Sequence, residues 1–189
     1  MKKEKVYIVL SDTSSIVSKL IKLCTKKRYN HVSISFDSQL LEVYSFGRKK
    51  VGNPFSGGFV REDMKRGLFK DADCVIYSLT VTERQLEKLK RYIFAMERSK
   101  EIYRYHFLGL FGFLVNKPIQ RKNAYFCSQF VATILKKSQV IDFDKPLALI
   151  APHDFQGLTQ LDLVYEGKLN TYLQDDRGEI SMTLPSVFV

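Results

Sequence analysis

Short apolar runs with strand-like or helix-like spacing alternate with polar stretches along this chain of 189 residues. The first apolar run, Val6–Leu10, ends at once in the polar residues Ser11-Asp12-Thr13, which is typical of a buried strand. A helix is predicted next, over Ser14–Cys24, and these three polar residues can cap its start. Its apolar residues share one helical face: Ile16, Leu20 and Leu23.

A β-hairpin is predicted after this helix. Apolar and polar residues alternate over His31–Phe36, Asp37-Ser38 forms the turn, and Leu40–Ser45 is the returning strand. A two-residue turn at this position places His31 opposite Tyr44. The side chains that then face the core are Val32, Ile34, Leu41 and Val43.

The same register predicts a polar face on the hairpin. Ser33 lies opposite Glu42, and side chains two residues apart along a strand share a face. His31, Ser33, Glu42 and Tyr44 therefore lie together. The Glu42 carboxylate is diagonal to the His31 ring and within its reach.

The remaining pattern predicts one domain over residues 1–189. A glycine-rich connection follows the hairpin, with Gly57-Gly58 as a turn, and then come the strand Cys74–Leu79 and a helix that begins in a capping box at Thr82–Gln85. A second helix and a last strand follow, at Ser128–Lys137 and Leu163–Gly167. The helix after the capping box is expected to bury Leu86, Leu89, Ile93 and Met96. The helix at Ser128–Lys137 is expected to bury Phe130, Val131, Ile134 and Leu135. This order predicts an α+β fold, an antiparallel sheet with packed helices.

The chain is basic. It has 30 Lys and Arg against 20 Asp and Glu, a net charge of +10, which favours an anionic surface as a partner. The basic residues form small scattered groups without a nucleic-acid-binding motif. We therefore expect solvated surface charge and no specific nucleic-acid partner.

The cysteines and histidines, three of each, show neither metal-ligand spacing nor an even disulfide set. No metal and no organic cofactor is predicted, and reduced thiols favour a cytoplasmic location. Val6–Leu10 is too short for the core of a signal peptide. The longest apolar segment, Phe107–Val115, is too short to span a bilayer.

Two residues have the setting that thiol catalysis needs. Cys127 lies where the apolar run Tyr125–Ala132 becomes helical, and the start of a helix lowers the pKa of a thiol. A thiol also needs a base, and His31 on the polar hairpin face is predicted to supply it. The other two cysteines, Cys24 and Cys74, lie on apolar faces and are expected to be core residues.

The order of these parts resembles the circularly permuted NlpC-type papain-like hydrolases. The closest resemblance is to the YiiX/YaeF-like group, whose wider relatives include lecithin-retinol acyltransferase. It extends from Tyr7 to about Leu169. The segments that support it are Asn30–Ile34, Glu42–Arg48, Gly57–Val60 and Tyr125–Val131.

The resemblance implies a permuted papain-like fold and assigns roles at the site. Cys127 would be the nucleophile, His31 the base, and a polar third residue would orient the imidazole. Glu42 is expected in that third role, with Tyr44 as the alternative. Tyr125 could orient the substrate or bind the oxyanion, although the backbone N–H of Cys127 is the better oxyanion donor.

The expected activity is that of a thiol hydrolase that cleaves an amide or ester bond through an acyl-enzyme. The substrates that the resemblance implies are peptides, cell-wall fragments or lipids. The same site would act as an acyltransferase if another molecule replaced water as the acceptor. A hypothesis of a different class is a non-catalytic binding module for anionic lipid or nucleic acid, suggested by the net charge.

Overall fold

The computed structural model describes residues 2–13, 27–49, 56–107, 109, 112 and 115–175. The helix predicted at Ser14–Cys24 lies outside the described residues. The strands are β1 Lys3–Asp12, β2 His31–Ser35, β3 Val43–Arg48, β4 Gly57–Glu62, β5 Asp73–Thr82, β6 Arg104–Tyr105, β7 Ala124–Tyr125 and β8 Leu161–Lys168. Within the described residues, six of these strands form one antiparallel sheet in the order β4-β3-β2-β1-β5-β8, and β6 and β7 form a short parallel pair.

The helices that pack on this sheet are α1 Glu83–Arg98, α2 Cys127–Lys137 and α3 Leu169–Asp175. The predicted capping box of α1 is confirmed, because Thr82 and Gln85 exchange hydrogen bonds between side chain and backbone. Short 3₁₀ turns occupy Gly67–Phe69, Lys100–Ile102, Leu147–Leu149 and Pro152–Gly157. The predicted α+β class, an antiparallel sheet with packed helices, is confirmed.

The sheet has a core on each face. On one face, α1 and α2 bury the predicted apolar residues against β1 and β2, although Leu86 is only partly buried. On the other face, a smaller apolar cluster forms around Val9, Met64, Phe69 and Leu169. Alternate residues of β1 enter the two cores, as expected for a strand with both faces covered.

The predicted hairpin register is wrong. Tyr44 pairs with Ile34 and Val43 pairs with Ser35, a shift of three residues from the predicted pairing of Tyr44 with His31. The connection is longer than two residues because the Asp37 carboxylate accepts hydrogen bonds from the backbone of the loop, including Leu41 and Glu42. An odd shift moves every side chain of the returning strand to the opposite face of the sheet.

The predicted glycine-rich connection is also partly wrong. Gly57 and Gly58 are not a turn; they begin β4, which pairs with β3 along its full length. Glycine weakens the local signal for a strand and often marks the close approach of another backbone. That is the case here, because a Cβ at Gly58 would collide with the backbone carbonyl oxygen of Tyr103, just before β6.

The apolar segment at 107–115 contains helical residues, namely Phe107, Gly109 and Gly112. In the part of the chain that the structure describes, no helix combines the length and the apolar character needed to cross a bilayer.

Candidate active site

Cys127 is the first residue of α2. It follows Phe126, whose extended backbone is the N-cap. The first N–H groups of a helix have no partner within the helix and can bind an anion. The residue is a free cysteine and only 2% exposed. The next side chain is tied to a neighbouring loop, because the Ser128 hydroxyl donates to the carbonyl of Ile150 at 2.6 Å.

His31 is the first residue of β2, and the residue before it anchors this strand end. Asn30 is buried; its Nδ2 donates to Asp12 Oδ1 at 2.8 Å, and its Oδ1 accepts from the Thr13 hydroxyl at 2.9 Å. These bonds fasten the start of β2 to the end of β1. The ring of His31 lies 5.8 Å from that of Phe69, between centroids.

Glu62 is the carboxylate that holds His31. It is the last residue of β4, and its Oε1 lies 2.8 Å from His31 Nε2. Its other oxygen, Oε2, accepts a hydrogen bond from the Ser33 hydroxyl. The carboxylate side chain is 5% exposed. Its hydrogen bonds to His31 and Ser33 therefore replace the water that a carboxylate binds at the surface.

Gly47 on β3 lets this pair form. β3 lies between β2 and β4, so the side chains of His31 and Glu62 must meet above it. A Cβ at Gly47 would lie 3.4 Å from Glu62 Oε1 and 3.9 Å from His31 Cε1. Alanine would just fit here, whereas a longer side chain would occupy the space in which the imidazole and the carboxylate meet.

The charges around His31 favour its protonated ring. Burial lowers the pKa of His31, but the carboxylate of Glu62 and the negative charge of Cys127 outweigh burial and raise the pKa to about 10. Hydrogen bonding to both groups adds to the rise. Because Nε2 binds Glu62, Nδ1 is the ring nitrogen available to Cys127. The arrangement can therefore hold an imidazolium beside the sulfur and release its proton there.

Tyr105 is a site residue that the sequence did not reveal. Burial, and then the charge of Cys127, raise the pKa of Tyr105 well above its ordinary value. Its hydroxyl therefore stays protonated near the sulfur and can donate a hydrogen bond. Tyr105 is half-buried on β6, and the base of its side chain lies against Gly57 of β4. In the sequence it is one of several tyrosines in an aromatic stretch, and nothing there distinguishes it.

The structure does not place Glu42 or Tyr44 against His31. Glu42 precedes β3, where its N–H donates to Asp37 Oδ2 at 2.8 Å. Tyr44 is 1% exposed and packs in the core, with its ring stacked on Phe59 at 6.0 Å. Both corrections follow from the register shift, and Glu62 takes the position that was predicted for Glu42.

Tyr125 lies on β7, opposite Tyr105 in the parallel pair. Its ring packs edge-on against Phe46 at 5.2 Å, and it lies 6.5 Å from the ring of Tyr103. These contacts make it part of an aromatic cluster beside the site. The charge of Cys127 raises the pKa of Tyr105, whereas burial and Tyr103 raise that of Tyr125.

A signal for Glu62 is present in the sequence. Apolar residues at Phe59 and Val60 follow the two glycines, and the charged pair Glu62-Asp63 closes the segment. A strand assigned here would return beside β3 and carry Glu62 at its end. Because the two preceding glycines favour a loop, the sequence pattern does not predict this strand.

The other cysteine and histidine side chains that the structure describes lie in the core or in loop contacts. Cys74 is fully buried, and burial raises its pKa to about 12. His106 Nε2 lies 3.0 Å from the carbonyl of Ile119. His153 neighbours Asp154, which caps its own loop by accepting the Ala151 N–H. Among the described residues, no cluster of His, Cys, Asp and Glu could hold a metal ion.

The chain matches no protein-family model, and a search of curated proteins finds no match. A functional assignment therefore depends on the geometry and charges of the site itself.

Proposed function

We propose that this protein is a cysteine hydrolase with a permuted papain-like fold that cleaves an amide or ester bond. The observation that carries the proposal is the placement of His31 between the Glu62 carboxylate and Cys127. A nucleophile, a base and a residue that orients the base are the parts that thiol catalysis requires. The order of the His strand, the Glu strand and the Cys helix supports the permuted arrangement.

In the proposed reaction, the proton shared by Cys127 and His31 resides on His31 Nδ1, and the thiolate sulfur attacks the substrate carbonyl carbon. The tetrahedral oxyanion accepts hydrogen bonds from the Cys127 N–H and the Tyr105 hydroxyl. When the C–N or C–O bond breaks, the proton on Nδ1 passes to the leaving amine or alcohol, and a thioester remains on Cys127. Water, deprotonated by His31, then releases the carboxylic acid.

Glu62 supports both proton transfers from the opposite side of the ring. Its Oε1 holds Nε2, which fixes the ring orientation and stabilises the imidazolium that forms. The substrate class that fits this chemistry is an acyl group in amide or ester linkage, as in a peptide, a cell-wall fragment or a lipid. The net charge of +10 favours substrates presented on an anionic surface.

Alkylation of the thiols by iodoacetamide tests this proposal without knowledge of the substrate. We expect Cys127 to be labelled faster at neutral pH than Cys74, because burial raises the pKa of Cys74 to about 12. His31→Ala should slow the labelling of Cys127 and leave that of Cys74 unchanged, with mass spectrometry locating the label. Equal rates at the two thiols would contradict a catalytic Cys127 and favour a binding module.

Tyr105→Phe tests the proposed oxyanion donor. Loss of one such donor costs about 100-fold in kcat, with little change in KM, because the bond strengthens in the transition state. Hydrolysis of an activated ester provides the measurement. Tyr103→Phe, which removes a hydroxyl two residues away, serves as the matched control. Equal kcat values for the two variants would remove Tyr105 from the mechanism.

A further inference from the structure

We propose that Ser33 is a positioning residue that fixes the orientation of the Glu62 carboxylate against His31. The inference rests on the proposed function, since it adds a fifth side chain to the site of Cys127, His31, Glu62 and Tyr105. Ser33 touches neither the sulfur nor the reacting atoms in this scheme and acts through Glu62.

The geometry gives each carboxylate oxygen its own partner. Ser33 lies two residues after His31 on β2, so both side chains are on the same face of the sheet. Its hydroxyl donates to Glu62 Oε2, while Oε1 faces His31 Nε2 at 2.8 Å. With both oxygens engaged, the plane of the carboxylate is set relative to the ring.

The surroundings explain why this second bond matters. The last torsion of a glutamate side chain has a broad, weakly defined preference, so its orientation depends on hydrogen bonds. Ser33 is fully buried, and it pairs with Val9 of the apolar cluster on that face. A carboxylate oxygen left without a donor in such a setting carries a desolvation penalty, and rotation of the group to relieve that penalty would draw Oε1 away from His31.

The proton on His31 reports on this arrangement. The charged groups that act on His31 are Glu62 from β4 and Cys127 from α2, and the ring of Phe69 that packs against it is uncharged. Ser33 has no charge of its own. Any effect of Ser33 on the proton affinity of His31 must therefore pass through Glu62.

The test is an NMR pH titration of the His31 side chain, assigned by comparison with His31→Gln. In Ser33→Ala we expect the pKa of His31 to fall by about one unit, the size of one hydrogen bond to a charged group, and Cys127 alkylation to slow. Ser35→Ala is the matched control, because Ser35 is also buried on β2 but donates to the Asp37 carbonyl at 2.8 Å. It should leave the titration unchanged.

A double variant tells whether Ser33 acts through Glu62. In the Glu62→Gln background, Ser33→Ala should cause no further shift, and a shift that persists there would overturn the proposal. An unchanged His31 pKa in Ser33→Ala would overturn it as well. If Ser33→Ala does not fold, Ser33→Cys, with a weak donor of similar size, takes its place under the same criteria.

Failure of the proposed function has a different signature. An unreactive Cys127 in the wild-type protein would contradict the hydrolase assignment, whereas the dependence of the His31 pKa on Ser33 and Glu62 would remain measurable. The two results are therefore independent.

Discussion

Cys127→Ala is expected to abolish hydrolysis while the protein stays folded. In the proposed mechanism the change removes the attacking sulfur, and loss of the nucleophile lowers kcat by up to about 10⁶-fold in hydrolases with a catalytic triad. The cost in stability should be only about 1 kcal/mol, because one buried heavy atom is lost from the start of α2. Turnover of an activated ester and the thermal unfolding midpoint provide the two measurements.

Cys74→Ala is the matched control for this variant, since it removes a sulfur that is also buried but lies on β5. It should keep the activity. Mass spectrometry of the wild-type protein during turnover adds a second readout, because an acyl group should accumulate on Cys127. Hydrolysis that survives in Cys127→Ala would show that another group performs the reaction and would end the thiol mechanism.

Glu62→Gln is expected to have the second-largest effect. Glutamine keeps the size of the side chain and removes the charge that raises the pKa of His31 to about 10. Loss of an adjacent opposite charge lowers such a pKa by about 1–3 units. Because the imidazolium is then less stable, we expect kcat to fall by about 100-fold or more. NMR titration of His31 and ester hydrolysis measure the two effects.

Glu42→Gln is the control that separates the two assignments of the third residue. The hairpin register predicted from the sequence makes Glu42 the partner of His31, whereas the structure gives that position to Glu62. Glu42→Gln should therefore leave the His31 titration and kcat unchanged. The opposite result, an effect of Glu42→Gln and none of Glu62→Gln, would support the hairpin register predicted from the sequence and contradict Glu62 as the partner of His31.

The His31–Glu62 pair also predicts how stability depends on pH. The pKa of His31 is raised on folding, from an ordinary value near 6.5 to about 10. Its contribution is then fully present below about pH 6.5 and is lost as the pH rises through about 10. The unfolding midpoint of the wild-type protein should therefore exceed that of Glu62→Gln most near pH 6, where the imidazole is protonated and carboxylates are ordinarily ionised. The difference should narrow between pH 6.5 and 10.

The amino-acid sequence by itself determined the elements that have strong local signals. β1 and β5 are apolar runs with polar ends, and α1 begins in a capping box of Thr82 and Gln85. The apolar spacing after Cys127 placed this residue at the start of α2. The sequence also indicates the candidate pair of Cys127 and His31, because each residue stands at the start of an element with a clear local pattern.

Only the tertiary structure decided which carboxylate meets His31 and which tyrosine lies beside Cys127. The hairpin register depends on a loop that the Asp37 side chain closes by hydrogen bonds and in which Leu40 has a φ of 55°. An alternating pattern of apolar and polar residues indicates neither feature. Glu62 reaches His31 across β3 because Gly47 leaves the space open. Local propensity describes one segment at a time, whereas this site is assembled from four segments whose relative positions are set by packing and strand pairing.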